Sequence, residues 1–134
     1  MSGGATAYDF AVLRVVPHVH LGEFHAVGVM VHARTMEFLD MRALSDANEL
    51  ARRLPDVDAV LLLRYLQTYR DVCAGRAVAG PVALAPPSER FHWLTAPRSD
   101  VIQTSPVHGG LCEDPAVVLE ELFAMYVGVP HASA

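Results

Sequence analysis

Apolar residues gather in short β-branched and aromatic runs in the first third of the chain and recur at helical spacing further on. From Tyr8 to Val16 the run YDFAVLRVV is rich in β-branched and aromatic residues and stops at Pro17, which predicts a strand. One face would carry Tyr8, Phe10, Val12, Arg14 and Val16, and the other Ala11, Leu13 and Val15. Arg14 thus stands in line with apolar neighbours, at a sheet edge or paired across the sheet. After the connection HVHLGE, the runs FHAVGVMVHA and MEFLDMR predict two more strands of an antiparallel meander. Gly28 inside the second points to a bulge or to close approach by another element.

From Ser45 the apolar period becomes about 3.6. Asp46 and Glu49 have the spacing of a capping box ahead of Ala47, Leu50 and Leu54. Beyond Pro55, DVDAVLLLRYLQTYRDVCAGR predicts a longer helix ending near Gly75, with Val57, Val60, Leu61, Leu66, Tyr69 and Cys73 as its apolar stripe. The Pro- and Gly-punctuated AVAGPVALAPPSE predicts an ordered loop. Two strands follow, near FHWLTA and VIQTSPV, with a turn at Pro97-Arg98-Ser99-Asp100 between them. Asp114-Pro115 then opens a last helix that would bury Val118, Leu122, Met125 and Tyr126.

The order βββααββα predicts an α+β domain: a five-stranded, largely antiparallel sheet with three helices on one face. At 134 residues the chain fits one domain over 8–128, with a disordered N-terminal tail at 1–7 and a C-terminal tail at 129–134. Runs such as Ala59–Leu63 are far shorter than the ~20 apolar residues of a membrane span, and the start MSGGATAYDF does not resemble a secretion signal. A cytoplasmic location is expected.

Charge narrows the chemistry. Net charge is −5, and all ten basic residues are arginine, which excludes lysine Schiff bases and a phosphate-loop lysine. With Arg52-Arg53 as the longest basic cluster, nucleic-acid and anionic-membrane partners are not expected. Cys73 and Cys112 form no Cys-x-x-Cys pair and suit two structural thiols. Cys112 also lies just before a helix start, where a thiol gains reactivity. Gly109-Gly110 before that helix suits an anion, yet Glu113 and Asp114 would repel one.

Three constellations can be weighed. His18, His20, Glu23 and His25 have metal-like spacing, but a polar turn between strands is the favoured reading, and no metal or cofactor is assigned. The two-histidine phosphoesterase pattern needs Ser or Thr two residues after each His; here Leu94 follows His92 and Gly110 follows His108. What remains is collective: Arg90, His92 and Trp93 on one strand, Thr104, Ser105 and His108 on its partner, and Arg98 at the turn. Guanidinium, hydroxyl and imidazole groups together suit phosphate or carboxylate recognition. The plainer alternative is a hairpin whose Arg90 and Arg98 pair with Glu89 and Asp100 while Trp93 packs inside.

The segments YDFAVLRVVP, EFHAVGVMV and SERFHWLTAPRSDVIQTSPVHGGLCEDP, in this order, resemble the bacterial family known as domain of unknown function 3037. The resemblance runs from Tyr8 to about Val127 and implies a small α+β domain. Arg14, Glu23, Arg90, His92, Trp93, Pro97, Arg98, Ser105, Pro106 and His108 stand where the family pattern has them. Two departures matter: HVHLGE replaces a stretch rich in Arg and Glu, and Ala26 replaces an Asn. The first makes the histidine cluster local to this sequence. The resemblance also implies an accessory role beside a protein partner, a HipA-like kinase.

Two functional readings follow. In the first the chain is an accessory or interaction domain, with Arg14, Glu23, Arg90, His92, Arg98, Thr104, Ser105 and His108 as candidate recognition surface. In the second it is a small enzyme or ligand-binding domain for a phosphorylated or carboxylated molecule. Arg90 and Arg98 would then hold the anion while His92 or His108 serves as acid or base. No catalytic residue is assigned, and a homo-oligomer stays open.

Overall fold

In the computed structural model, which describes residues 4–16, 24–97 and 101–128, five antiparallel strands and four α-helices form an α+β domain. The strands are β1 (Thr6–Val15), β2 (His25–Ala33), β3 (Phe38–Ala43), β4 (Ile102–Thr104) and β5 (His108–Cys112). The helices are α1 (Ala47–Arg53), α2 (Ala59–Ala74), α3 (Pro87–Leu94) and α4 (Pro115–Tyr126). Short 3-10 turns lie at Arg34–Met36, Ala77–Ala79 and Pro81–Leu84. No helix among the described residues is long and apolar enough to cross a membrane.

The expected meander forms. β2 lies between β1 and β3, and the far edge of β1 is shared: β4 pairs with Leu13–Val15, β5 with Thr6–Phe10. Register slips between Leu13 and Arg14, which oppose Gly28 and Ala26, so Val27 is the extra residue of a bulge. Gly28 also meets a close neighbour: a Cβ there would stand 2.8 Å from the Ala43 Cβ and 2.9 Å from the Arg42 carbonyl oxygen. The close approach expected of Gly28 is therefore present, and the bulge lies next to it at Val27.

Helix ends follow their sequence signals. Asp46, Asp58 and Asp114 accept the N–H groups of Asn48, Leu61 and Ala116, and Gly75 closes α2 at φ 75°. Glu49 does not return to complete a capping box. It is buried against Arg53 at 2.7 Å, and Arg53 donates onward to the Val127 carbonyl at 2.8 Å, tying α1 to the end of α4.

Two expectations need correction. FHWLTA is not a strand: Pro87 to Leu94 form α3, so the expected hairpin with VIQTSPV does not exist. Pro87 supplies a first helical residue, Glu89 an acid in the first turn, and Phe91 and Leu94 the buried positions three apart. Trp93 lies on the outward side, 39% exposed. β4 and β5 both come from the segment after it.

The helices, moreover, occupy both faces of the sheet. Arg42 of β3 reaches Glu120 and Phe123 of α4, and shares a face with Val29 and Val12. His32 of β2 meets Ser88 and Phe91 of α3 on the other face, which it shares with Asp9 and Leu39. A sheet covered twice explains why β2 is buried on consecutive residues from Val27 to Ala33. The helical stripes shift accordingly: α2 buries Leu62, Leu66, Tyr69, Val72 and Cys73 and leaves Val60 and Leu61 outside. In α4, Leu119, Leu122 and Phe123 face in, while Met125 and Tyr126 are exposed.

Candidate functional site

Strand alternation decides where each candidate side chain goes. Val12 and Phe10 face α4, and so do the residues opposite them, Ser105 and His108. Arg14 follows on the same face, opposite Gln103 and Ala26. These side chains line a cleft of about 350 Å³ with Phe24 and Tyr126 as aromatic walls. A second hollow of about 320 Å³ shares Arg14, Ser105 and Pro106 and extends to Thr95 and Pro97 at the end of α3.

Arg14 is the centre of this site. Its guanidinium lies 4.3 Å from the Phe24 ring centroid, a cation–π arrangement, and Nη2 donates a long 3.4 Å bond to the Thr104 carbonyl. The Nε–H is buried and has no hydrogen-bond partner among the described residues. An orphaned charged donor costs about 1–3 kcal/mol or more, so an acceptor arriving there would be favoured. His108 lies across the cleft with its ring 5.5 Å from that of Phe10, which packs in turn on Tyr126 at 5.8 Å.

The two hydroxyl residues are spent on structure. Ser105 Oγ accepts from the Val12 amide at 2.9 Å and donates to the Pro106 carbonyl at 2.9 Å. Thr104 opposes Leu13, so its side chain points to the α3 face, where it donates to the Thr95 carbonyl at 3.3 Å. Only its carbonyl serves Arg14.

Arg90 and His92 lie elsewhere. Arg90 donates to the Ala85 carbonyl at 2.6 Å and to that of Cys73 at 3.4 Å, and its Cζ lies 3.6 Å from where a Cβ on Gly75 would be. It joins the start of α3 to the end of α2 and does not pair with Glu89. His92 is exposed in the last turn of α3 and lines neither hollow. Glu23 and Arg98 lie outside the described residues, as do His18 and His20. Among the described residues no three His, Cys, Asp or Glu side chains are placed to hold a metal.

Cysteine chemistry is suppressed. Burial, with Asp40 adding to it, pushes the Cys73 thiol up to about 12. The Cys112 thiol is also raised, by desolvation and then by Asp114, so the helix start does not activate it.

His32 and Ser88 form a pair that their sequence positions do not reveal. His32 is 6% exposed, stacks on Phe91 at 5.0 Å and shares a 3.1 Å hydrogen bond between its Nε2 and Ser88 Oγ. Fifty-six residues separate the pair, and no local motif marks either member. The one available signal was a histidine inside an otherwise apolar strand.

The chain belongs to the family described as Protein of unknown function (DUF3037), whose model matches residues 10–127. No curated protein and no solved structure matches it.

Proposed function

We propose that this member of the DUF3037 family is a recognition module whose Arg14 cleft takes a carboxylate or phosphate group of a small molecule. The observation that carries this reading is the buried Nε–H of Arg14, without a partner among the described residues, inside a hollow that His108 also lines. A guanidinium presents a planar fork of donors to an anionic oxygen pair. His108 adds a ring nitrogen, and Phe24 and Tyr126 add apolar surface for the rest of the ligand. Arg90 and His92 take no part, so the site is narrower than the eight residues singled out in the sequence.

The test is a thermal-shift screen over carboxylated and phosphorylated metabolites, repeated on Arg14→Met. A ligand at 100 times its Kd stabilises the native state by about 2.7 kcal/mol. A hit that raises Tm for the native chain and not for Arg14→Met supports the reading. No hit, or one that survives the substitution, sinks it.

A second reading is favoured by a separate observation. Leu61, Tyr65 and Val101 are exposed and line one hollow beside the start of α2, an apolar patch suited to a protein partner. In this version the chain is an accessory domain, and the HipA-like kinase implied by the resemblance is the partner to try. Stoichiometric co-purification lost on Leu61→Asp would support it. Association unchanged by Leu61→Asp, or no association, would remove it.

A further inference from the structure

On the face of the sheet opposite the Arg14 cleft, a serine hydroxyl, an imidazole and a helix start converge. Ser88 is the second residue of α3 and is exposed, so a substrate can reach its Oγ. His32 Nε2 lies 3.1 Å from that Oγ. The imidazole is fixed by burial in β2 and by its stacking on Phe91, with 27° between the planes. Asp9 stands directly opposite His32 on β1 and acts on it through its charge, although its carboxylate leans over Gly109, where a Cβ would be 3.3 Å away.

From this geometry we propose that Ser88 is a nucleophile, with His32 as its general base, towards the acyl group of carboxylic esters. A serine becomes nucleophilic when an adjacent unprotonated imidazole takes its proton, provided a further structure holds the base in place. Desolvation by burial lowers the His32 pKa, with Asp9 opposing and Arg34 assisting, which favours the neutral ring; in the tautomer with its proton on Nδ1, Nε2 accepts from Ser88 Oγ. No side chain caps α3, and its first turn places the Ser88 and Glu89 N–H groups beside the nucleophile. Those N–H groups are the donors for the developing oxyanion.

The reaction balances without any cofactor. Ser88 Oγ bonds to the acyl carbon, its proton passes to His32 Nε2, and the bond from acyl carbon to leaving oxygen breaks as that proton is delivered to the alcohol. Water then attacks the acyl carbon, His32 carries its proton to Ser88 Oγ, and the carboxylic acid leaves. The sum is ester plus water to acid plus alcohol.

The experiment uses the full chain, a fluorophosphonate probe with the labelled residue located by peptide mass spectrometry, and p-nitrophenyl acetate as ester. Ser88 is expected to be labelled, with labelling absent in Ser88→Ala, whose exposed position makes it a safe substitution. Esterolysis should fall by ~100-fold or more in Ser88→Ala and in His32→Gln. In the native chain the labelling rate should rise with pH through one ionisation below the ordinary histidine value, a readout that does not depend on His32→Gln folding. Label on another residue, no label, or esterolysis unchanged in Ser88→Ala overturns the proposal. Because Arg14 lies on the other face, that outcome leaves the Arg14 cleft to stand or fall on its own screen.

Discussion

Ser105 and Val12 exchange two hydrogen bonds: the Ser105 amide reaches the Val12 carbonyl at 2.8 Å, and the Val12 amide reaches Ser105 Oγ at 2.9 Å. The hydroxyl thereby stands in for a backbone carbonyl where β4 has ended and β5 has not begun. One residue carries the ladder of β1 across that break and keeps a buried N–H satisfied. It also sets the floor of the cleft that Arg14 and His108 line.

Ser105→Ala should therefore unfold more easily by about 1–3 kcal/mol, the cost of leaving the Val12 N–H buried and unpaired. Urea denaturation should show a lower midpoint with an unchanged slope. An unaltered midpoint would mean that water or another group takes over the Val12 amide.

Gly28→Ala should destabilise by about 1–3 kcal/mol, because the new methyl would overlap the Ala43 Cβ and the Arg42 carbonyl oxygen. Adding Ala43→Gly should recover part of the loss and no more, since the contact with the carbonyl oxygen remains. Thermal unfolding of the single and double variants checks this. Full recovery would show that the backbone contact is relieved by a shift of β3.

His32 gives the fold a pH dependence. Its folded pKa lies below the ordinary 6.5, mainly through desolvation. The unfolded chain therefore binds more protons as pH falls below about 6.5, so this contribution is complete above that value and is lost as pH drops through the folded pKa. Stability measured from pH 8 downward should begin to decline near 6.5, before the carboxylates titrate. Replacing His32 by Gln should flatten that first decline, and an identical profile in both proteins would contradict the assignment.

Cys73 should be inert in the folded chain. With its thiol pushed up to about 12, it carries almost no thiolate at pH 8. Alkylation by iodoacetamide should modify Cys112 slowly and Cys73 only after denaturation. Modification of Cys73 at native conditions without loss of structure would refute its place in the core.

Much of this molecule follows from chemistry local to the chain. The β-branched and aromatic runs YDFAVLRVV, FHAVGVMVHA and MEFLDMR, separated by short polar connections, were enough for the meander, because consecutive short strands pair with their neighbours in sequence. Asp46, Asp114-Pro115 and Gly75 marked helix ends through chemistry confined to a few neighbouring residues. Family membership was legible for the same reason, in the ordered run RFHWLTAPRSDVIQTSPVHGG.

Tertiary structure alone decided the rest. RFHWL satisfies a strand period through Phe91 and Trp93 and a helix period through Phe91 and Leu94. Burial of Phe91 against His32, together with Leu94, goes with the helix. That choice removes Arg90 and His92 from the site and brings Ser88 to His32. The faces on which α3 and α4 pack are likewise unmarked locally, since an amphipathic helix shows which stripe it buries and not against which side of a sheet. Arg14 depends on both kinds of information: its in-line position among apolar residues was visible, but the bulge at Val27 and the strand break at Ser105 give it a cleft, where its Nε–H has no partner among the described residues.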